Sequence, residues 1–324
     1  MNVPLRLSAS QVAQIAAGDT GGKHLGGQPD AVVGSIAFAP FLSVIIPHYN
    51  DLDNLKRCVV LLEQQSWHKD RVEIIVADNN SQCGIAAVRA AVPAARVVPA
   101  AIQGAGPARN AAVAAAKGEV FAFIDSDCFA EPDWLRQGVC ALTTADYIGG
   151  QVVTTVRDPA HPSPAEAYDA VFAFNFEKYI NRDKFSGTGN LFVPRQMFQS
   201  VGAFRSGVSE DVEWCHRANA LGFQLKYAPD AIVLHAARHA WSDLLAKYRR
   251  VTREAYLLMR EQPLGRLRWA GHALLVLLSP VVHVAHVVRS PRLAGWGPKW
   301  RGAVGLVGIR SFRCWEMWRV MLFG

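Results

Sequence analysis

The chain has no long unbroken apolar run, no paired cysteines and very little acid near its C-terminal end. Its longest apolar stretch, His272–Val288, is 17 residues long and contains Pro280 and three histidines. A membrane-crossing helix needs roughly 20 apolar residues, so no single helical span is expected there. The six cysteines, at 58, 83, 128, 140, 215 and 314, have no spacing that suits a zinc site. They read as isolated, reduced, mostly buried thiols of a cytosolic protein. No basic-then-apolar secretory signal stands at the N-terminus. The loop after the first expected strand, His48-Tyr49-Asn50, lacks the glycines and the Lys or Arg of a phosphate-cradling loop. That absence counts against a nucleotidyltransferase acting on a sugar phosphate.

What the chain has is a basic, tryptophan-rich end. The net charge is +7 over 324 residues, with an apolar fraction of 51% that is ample for a core. From Arg238 onward there are 15 Lys/Arg against 4 Asp/Glu, leaving 19 against 23 before it. Six of the nine tryptophans (241, 269, 296, 300, 315 and 318) share that end. An acidic catalytic portion joined to a basic region is the expected organisation.

Hydrophobic period and breakers give an order of elements. Residues 1–40 read as a variable leader, with at most one short helix over Gln11–Ala17 capped from Ser8–Ser10. Phe41–Ile46 is a strand ended by Pro47, and a helix follows with Leu52, Leu55, Val59 and Leu62 at helical spacing. Val72–Ala77 is a second strand, and 96–98 a weak third. Pro107 is placed to open a helix that ends at Gly118. Val120–Ile124 is a short strand buried on both faces, and a helix starts near Trp134. Tyr147–Val153 is a strand and Pro164–Ile180 a helix whose aromatic stripe (168, 172, 176, 179) is core packing. A short strand follows Gly187–Asn190 and ends at Pro194. Glu210 begins a helix that stops at Gly222, and strands over Phe223–Tyr227 and Ala231–Leu234 lead to His235. Strands alternating with helices make the class α/β, with a mostly parallel sheet flanked by helices and a helical C-terminal extension.

The strand over Val120–Ile124 ends in Asp125-Ser126-Asp127. Ligands of open α/β sheets collect beyond the carboxyl ends of the strands. Two carboxylates there can hold a magnesium or manganese ion, whose remaining ligands come from substrate phosphates. An acidic turn that caps the next helix is the plainer alternative.

Six pieces in order carry a resemblance: Ser43-Val-Ile-Ile-Pro-His-Tyr-Asn50, Glu73–Ser81, Gly106-Pro-Ala-Arg109-Asn110, Phe123–Asp127, Gly189-Asn190 and Glu210-Asp211, followed by His235. Together, over about residues 41–235, they resemble the family 2 glycosyltransferases, whose nucleotide-sugar fold is termed GT-A. The resemblance implies an inverting, metal-dependent transfer. It implies that Asp125, with Ser126 beside it, meets the ribose and sugar, and that Asp127 holds a Mn2+ or Mg2+ bridging the donor diphosphate. His235 is a further ligand or a structural histidine. Asp211 is the implied base that takes the acceptor's proton, and Glu210 a neighbour that orients. Both acids also suit a helix N-terminus. Pro47 and Tyr49 cover the base or only make a turn. Asp78 accepts from a uracil-type base or caps a turn. Arg109 reaches phosphate or the acids, or else forms an ordinary ion pair. Trp214 offers its face to an acceptor sugar or packs in the core. No Gln-x-x-Arg-Trp follows, which separates the chain from processive polymerases and favours transfer of one sugar.

The expected domains are therefore the leader 1–40, a catalytic domain 41–237, and a membrane-associating region 238–324. In the last, a helix near Trp241–Arg260 and the broken apolar stretch are expected to lie in the interface, arginines at headgroups and tryptophans as anchors. A soluble basic subdomain is the alternative. The expected partners are a nucleotide-sugar donor, UDP- or dTDP-linked, a lipid-linked or cell-surface glycan acceptor, and a membrane surface, but no nucleic acid. The expected location is the cytoplasmic face of the cell membrane, peripheral or monotopic. A membrane-bound sugar-nucleotide sensor is a non-catalytic alternative, and intact acids at 125, 127 and 211 weigh against it.

Overall fold

The structure, a computed structural model, describes residues 39–323. The expected helix at Gln11–Ala17 lies outside them. The order of elements is β1 (Leu42–His48), α1 (Leu52–Glu63), β2 (Val72–Asp78), α2 (Gly84–Ala91), β3 (Arg96–Pro99), α3 (Ala105–Ala115), β4 (Val120–Phe123), β5 (Cys128–Ala130), α4 (Trp134–Ala141), β6 (Tyr147–Thr155), α5 (Pro164–Phe172) and α6 (Phe176–Asn181). Then come β7 (Leu191–Pro194), α7 (Arg195–Val201), α8 (Glu210–Ala220), β8 (Leu225–Ala236), α9 (Trp241–Met259), α10 (Gly265–Leu278), α11 (Pro280–Arg289) and α12 (Trp296–Phe323).

Eight strands form one mixed sheet in the order β3-β2-β1-β4-β7-β6-β8-β5. The run β3-β2-β1-β4 is parallel, and β7 is antiparallel to both β4 and β6. The chain forms two compact units. One comprises the described residues up to Gln151 with Phe176–Ala203 and His216–Val233, and the other Val152–Asn175, Phe204–Cys215 and Leu234 onward. The basic end is thus not a self-contained appendage, because α5 from mid-chain belongs to the same unit.

In the first unit, local chemistry explains the elements. The Asp51 carboxylate caps α1 by accepting from the Asn54 N–H at 3.4 Å, and Leu55, Cys58, Val59 and Leu62 make its buried face. The central residues of β1, β2 and β4 are buried on both faces, as parallel strands covered by helices require. Gly106, Ala108 and Ala112 are the small buried residues of α3. A polar tie runs through the core at Asn190, which is 0% exposed. Its Oδ1 accepts from the Trp134 indole at 2.9 Å, and its Nδ2 donates to the Gln151 and Ala231 carbonyls at 2.9 and 2.8 Å.

The second unit is mostly helical. Ser163 and Glu166 form a capping box at the start of α5, with Pro164 in the first turn. Tyr168, Leu244, Tyr248, Val287, Leu306 and Ile309 are core residues of one cluster, and Tyr256, Trp269, Val276, Cys314 and Met317 of a second. At Gly305 an added Cβ would meet the Pro164 carbonyl at 2.2 Å, so only glycine allows α12 this close to α5.

Several expected boundaries move. Pro47 does not end β1, because the ladder continues to His48↔Asp78. The helix expected from Pro107 begins at Ala105, after Gly104 turns the chain at φ +132°. Cys128–Ala130 adds a strand that its three residues did not announce. The single helix over Pro164–Ile180 is two, separated by an extended Ala173 and by Phe174 at φ +55°. The two strands flanking Pro229 are one, since β8 is continuous. Pro280 does break the apolar stretch, with α10 and α11 bent by 49°.

Replacing Asn190 with Ala would take the acceptor from the buried Trp134 indole N–H and a donor from each of two carbonyls. The variant is expected to lose about 3 kcal/mol of stability. Urea unfolding should show a lower midpoint at an unchanged slope; an unmoved midpoint would show that the tie does not hold the core.

Candidate active site

In the first unit, polar side chains gather where β1, β2 and β4 end. His48 is buried, and its Nδ1 lies 3.2 Å from Asp78 Oδ1. The Asp51 N–H donates to His48 Nε2 at 3.2 Å, which leaves the ring proton on Nδ1 for Asp78. Asp78 is itself buried, and among the described residues it is Oδ1, not Oδ2, that meets a side-chain donor. Tyr49 is 50% exposed and Pro47 half-buried. Two strand-end loops fasten each other: Asn50 Oδ1 accepts from the Gln82 N–H at 2.8 Å, and the Asn50 N–H donates to Ser81 Oγ at 3.0 Å. Asn50 and Asn80 both take left-handed backbone, at φ 54° and 63°, as asparagine can.

Asn79 does more than fill a turn. Its Nδ2 donates to the Ala100 and Ile102 carbonyls at 3.1 and 2.7 Å, and its Oδ1 accepts from the Gly104 N–H at 2.7 Å. The loop so fixed leads into α3, which presents Arg109. That guanidinium is buried and donates through Nη2 to Asp125 Oδ1 at 2.6 Å. The sequence left Arg109 between phosphate and an ordinary ion pair; the fold places it with the first acid of the pair, whose side chain is 38% exposed.

Asp125, Asp127 and Cys128 offer ligand atoms that all lie within 4.8 Å of one another. Burial, then the charges of Asp127 and Asp125, push the Cys128 thiol well above its ordinary range, so it keeps its proton. Cys58, whose Sγ lies 3.9 Å from the Asp125 carbonyl, is raised by the same causes in the same order. The group therefore presents carboxylate oxygens, which suits a hard divalent cation better than a thiophilic one. Gly189 stands against the pair: a Cβ there would sit 3.1 Å from Asp125 Oδ2.

The other expected residues belong to the second unit. Glu210 and Asp211 open α8, both half-buried. Trp214 is 0% exposed and packs on Phe204 with ring centroids 5.6 Å apart. Of its two sequence roles, core packing is therefore the one its surroundings serve, and its face is not open to an acceptor. His235 is buried with its ring 4.6 Å from that of Phe174.

Two residues had no sequence signal. His48 was only a loop residue until the register set it against Asp78. Glu254 lay among the basic residues of α9, and nothing in its spacing linked it to α8. Burial pushes its carboxyl up to about 7, Glu210 and Asp211 add to the rise, and Arg250 at 3.6 Å opposes it. Glu254 thus takes up its proton beside the acids of α8 as pH falls through about 7, well above the usual carboxylate range.

Between its unfolded value near 4.5 and about 7, the folded state binds the extra proton. Glu254 therefore removes stability progressively as pH rises through that window. Urea unfolding of wild type and Glu254→Gln at about pH 5 and about pH 8 is expected to show the variant gaining on wild type at the higher pH. An equal difference at both would mean that Glu254 ionises as an ordinary surface acid.

Comparison with known proteins gives concordant matches. The family profile described as "Glycosyl transferase family 2" matches residues 43–203. The glycosyltransferase AglE of Haloferax volcanii is 34% identical over 221 residues, which are 65% of this chain and 72% of that protein. The succinoglycan biosynthesis protein ExoO of Rhizobium meliloti is 34% identical over 122 residues, 37% of this chain and 34% of its own length. Among solved structures, the mannosyltransferase PcManGT of Pyrobaculum calidifontis, in complex with GDP-Man and Mn2+, has a TM-score of 0.54 at 16% identity. The likeness covers 96% of this chain and 91% of that one, and at this identity it speaks for the GT-A-like fold. With the paired acids at the end of β4 and these matches, the chain belongs to glycosyltransferase family 2.

Proposed function

We propose that the protein transfers one sugar, with inversion, from a nucleotide-sugar donor to a lipid-linked or cell-surface glycan acceptor. The observation that carries this reading is the Asp125/Asp127 pair at the end of β4, with Asp125 fixed by the buried Arg109. Asp127, in the group it forms with Asp125, is the residue to hold a Mn2+ or Mg2+ ion. When bound, such a cation offsets the charge that develops on the departing diphosphate. The Mn2+ and GDP-Man in the mannosyltransferase of similar fold support a cation and a sugar nucleotide.

The chain's own residues take the remaining roles. Asp78, whose Oδ1 is held by His48, has Oδ2 left to accept from the base edge, and Tyr49 and Pro47 cover the base. Arg109 orients Asp125, with Ser126 beside it, toward ribose and sugar. The acceptor oxygen bonds to the anomeric carbon as that carbon's bond to the diphosphate oxygen breaks. Asp211 takes the hydroxyl proton, and Glu210 orients the acceptor. UDP and dTDP are the bases to test first, with GDP beside them because of the mannosyltransferase.

The second unit is assigned to the cytoplasmic membrane surface. No single described helix is long and apolar enough to cross a bilayer, and α10 with α11 reaches that composition only as a bent pair. Leu267, Leu274, Leu275, Leu278, Val281 and Val282 are exposed along that pair, and Arg266, Arg268 and Arg289 flank them. Apolar faces with basic flanks are the composition of an interfacial anchor.

Asp127→Asn is expected to abolish transfer and to weaken Mn2+-dependent binding of the nucleoside diphosphate, measured by calorimetry with and without the ion. Cation-independent binding that survives the substitution would remove Asp127 from the metal site. Asp211→Asn should keep donor affinity while turnover falls on the order of 10² or more; a collapse of donor affinity would make Asp211 a ligand or a structural residue. Mass spectrometry of a sugar-nucleotide panel identifies the donor. In flotation, the full chain should rise with anionic vesicles, leave them partly in salt and fully in detergent. Failure to float would remove the membrane from the reading.

A further inference from the structure

The acids of the C-terminal region are already engaged. Glu316 receives Arg319 at 2.5 and 2.8 Å, Glu261 receives Arg205, Glu254 receives Arg250, and Asp243 accepts from Ser242. Asp169, from mid-chain, is shared by Arg238 and Lys247, both at 3.3 Å. Two half-buried guanidinium groups, Arg310 and Arg313, have no such partner. They lie one turn apart on α12, on one face. Among the described residues neither makes an ion pair or hydrogen bond, and the Nε of each is buried and unpartnered. Each lies over an aromatic ring instead, Arg310 over Phe172 at 5.7 Å and Arg313 over Tyr248 at 4.9 Å. Cation–π contact offsets only part of what a guanidinium loses when half-buried.

The neighbourhood adds donors, and the one acid that reaches Tyr248, Asp169, is already held by Arg238 and Lys247. Thr252, one turn beyond Tyr248 on the buried face of α9, has a buried hydroxyl without a partner. His272 on α10 stands within electrostatic reach of both guanidinium groups. Leu275, one turn from His272, begins the exposed apolar row that continues through Leu278, Val281 and Val282. A free inorganic anion would satisfy the arginines and leave that row in water. An anion carried on an apolar chain satisfies both.

We propose that Arg310 and Arg313 bind the phosphoryl headgroup of a membrane lipid whose apolar chain lies along the exposed faces of α10 and α11. This inference rests on the lipid-linked, membrane-surface reading above. The guanidinium fork matches phosphate oxygens bidentately, which an ammonium does not.

The test uses the full chain and vesicles of phosphatidylcholine with or without phosphatidic acid. Wild type is expected to bind the phosphatidic acid vesicles at least about tenfold more tightly. Arg310→Gln with Arg313→Gln should lose most of that preference. Arg249→Gln with Arg253→Gln removes equal charge from exposed positions on α9 and should lose much less. If the glutamine pair fails to fold by circular dichroism, Arg310→Lys with Arg313→Lys keeps the charge and should still lose at least about threefold. An undiminished preference in whichever pair folds, or an equal loss in the α9 control, overturns the site. Competition by millimolar pyrophosphate would show a free-phosphate site and overturn the lipid assignment. Donor hydrolysis is measured on every variant and should not change; if wild type itself turns over no sugar nucleotide, the transferase reading fails while the lipid result stands by itself.

Discussion

The parallel register of β1 with β2 and β4 is the constraint on which the first unit's site depends. Leu42 pairs with both Val72 and Val120, so the three strands start level, β1 and β2 pairing on to His48↔Asp78 and β4 to Phe123↔Ile45. That alignment sets His48 against Asp78 and brings Asp125 just past the same edge. A one-residue slip would reverse the faces of every side chain on the shifted strand. The apolar runs Val44–Ile46, Ile74–Ala77 and Phe121–Phe123, buried on both faces, hold the register. Hydrophobic burial thus fixes where the polar groups stand, although none of them contributes to it.

The polar groups then stabilise one another locally. Arg109 can be buried because Asp125 accepts from it, and Asp125 is oriented because Arg109 is itself fixed by packing. Asn79 converts the short loop after β2 into the support for α3. Cys58 and Cys128, held as thiols by burial and by the carboxylates, offer the acid pair no thiolate. In the second unit the same economy of acids works the other way. Few carboxylates serve many cations, and Asp169 alone holds two. Lys247 is pushed down to about 8 chiefly by burial, which Asp169 only partly offsets.

Much of this was legible in the chain itself. Short apolar strands, each closed by a turn or acid, gave the α/β class, and the order of motifs from Ser43 to His235 gave the family before any coordinate. The acid pair was readable through the motifs ordered around it, because alone it suits an acidic turn that caps the next helix just as well. Where strands meet prolines the reading failed: Pro47 and Pro229 lie inside β1 and β8, since a missing N–H is harmless where no ladder bond needs it. The break at Phe174 was hidden because its aromatic stripe keeps helical spacing across an extended residue.

The sequence by itself determined which residue types stand at the ends of strands, where the helices start, and how charge divides along the chain. These are local matters of period, capping and composition. Only the tertiary structure decided the pairings. It chose Asp78 for His48 and Asp125 for Arg109, closed Trp214 into the core, raised Glu254 beside Glu210 and Asp211, and left Arg310 and Arg313 without a counter-ion among the described residues. Each of those outcomes depends on desolvation and on contacts between residues far apart in the chain, and neither is written in the spacing of any one segment.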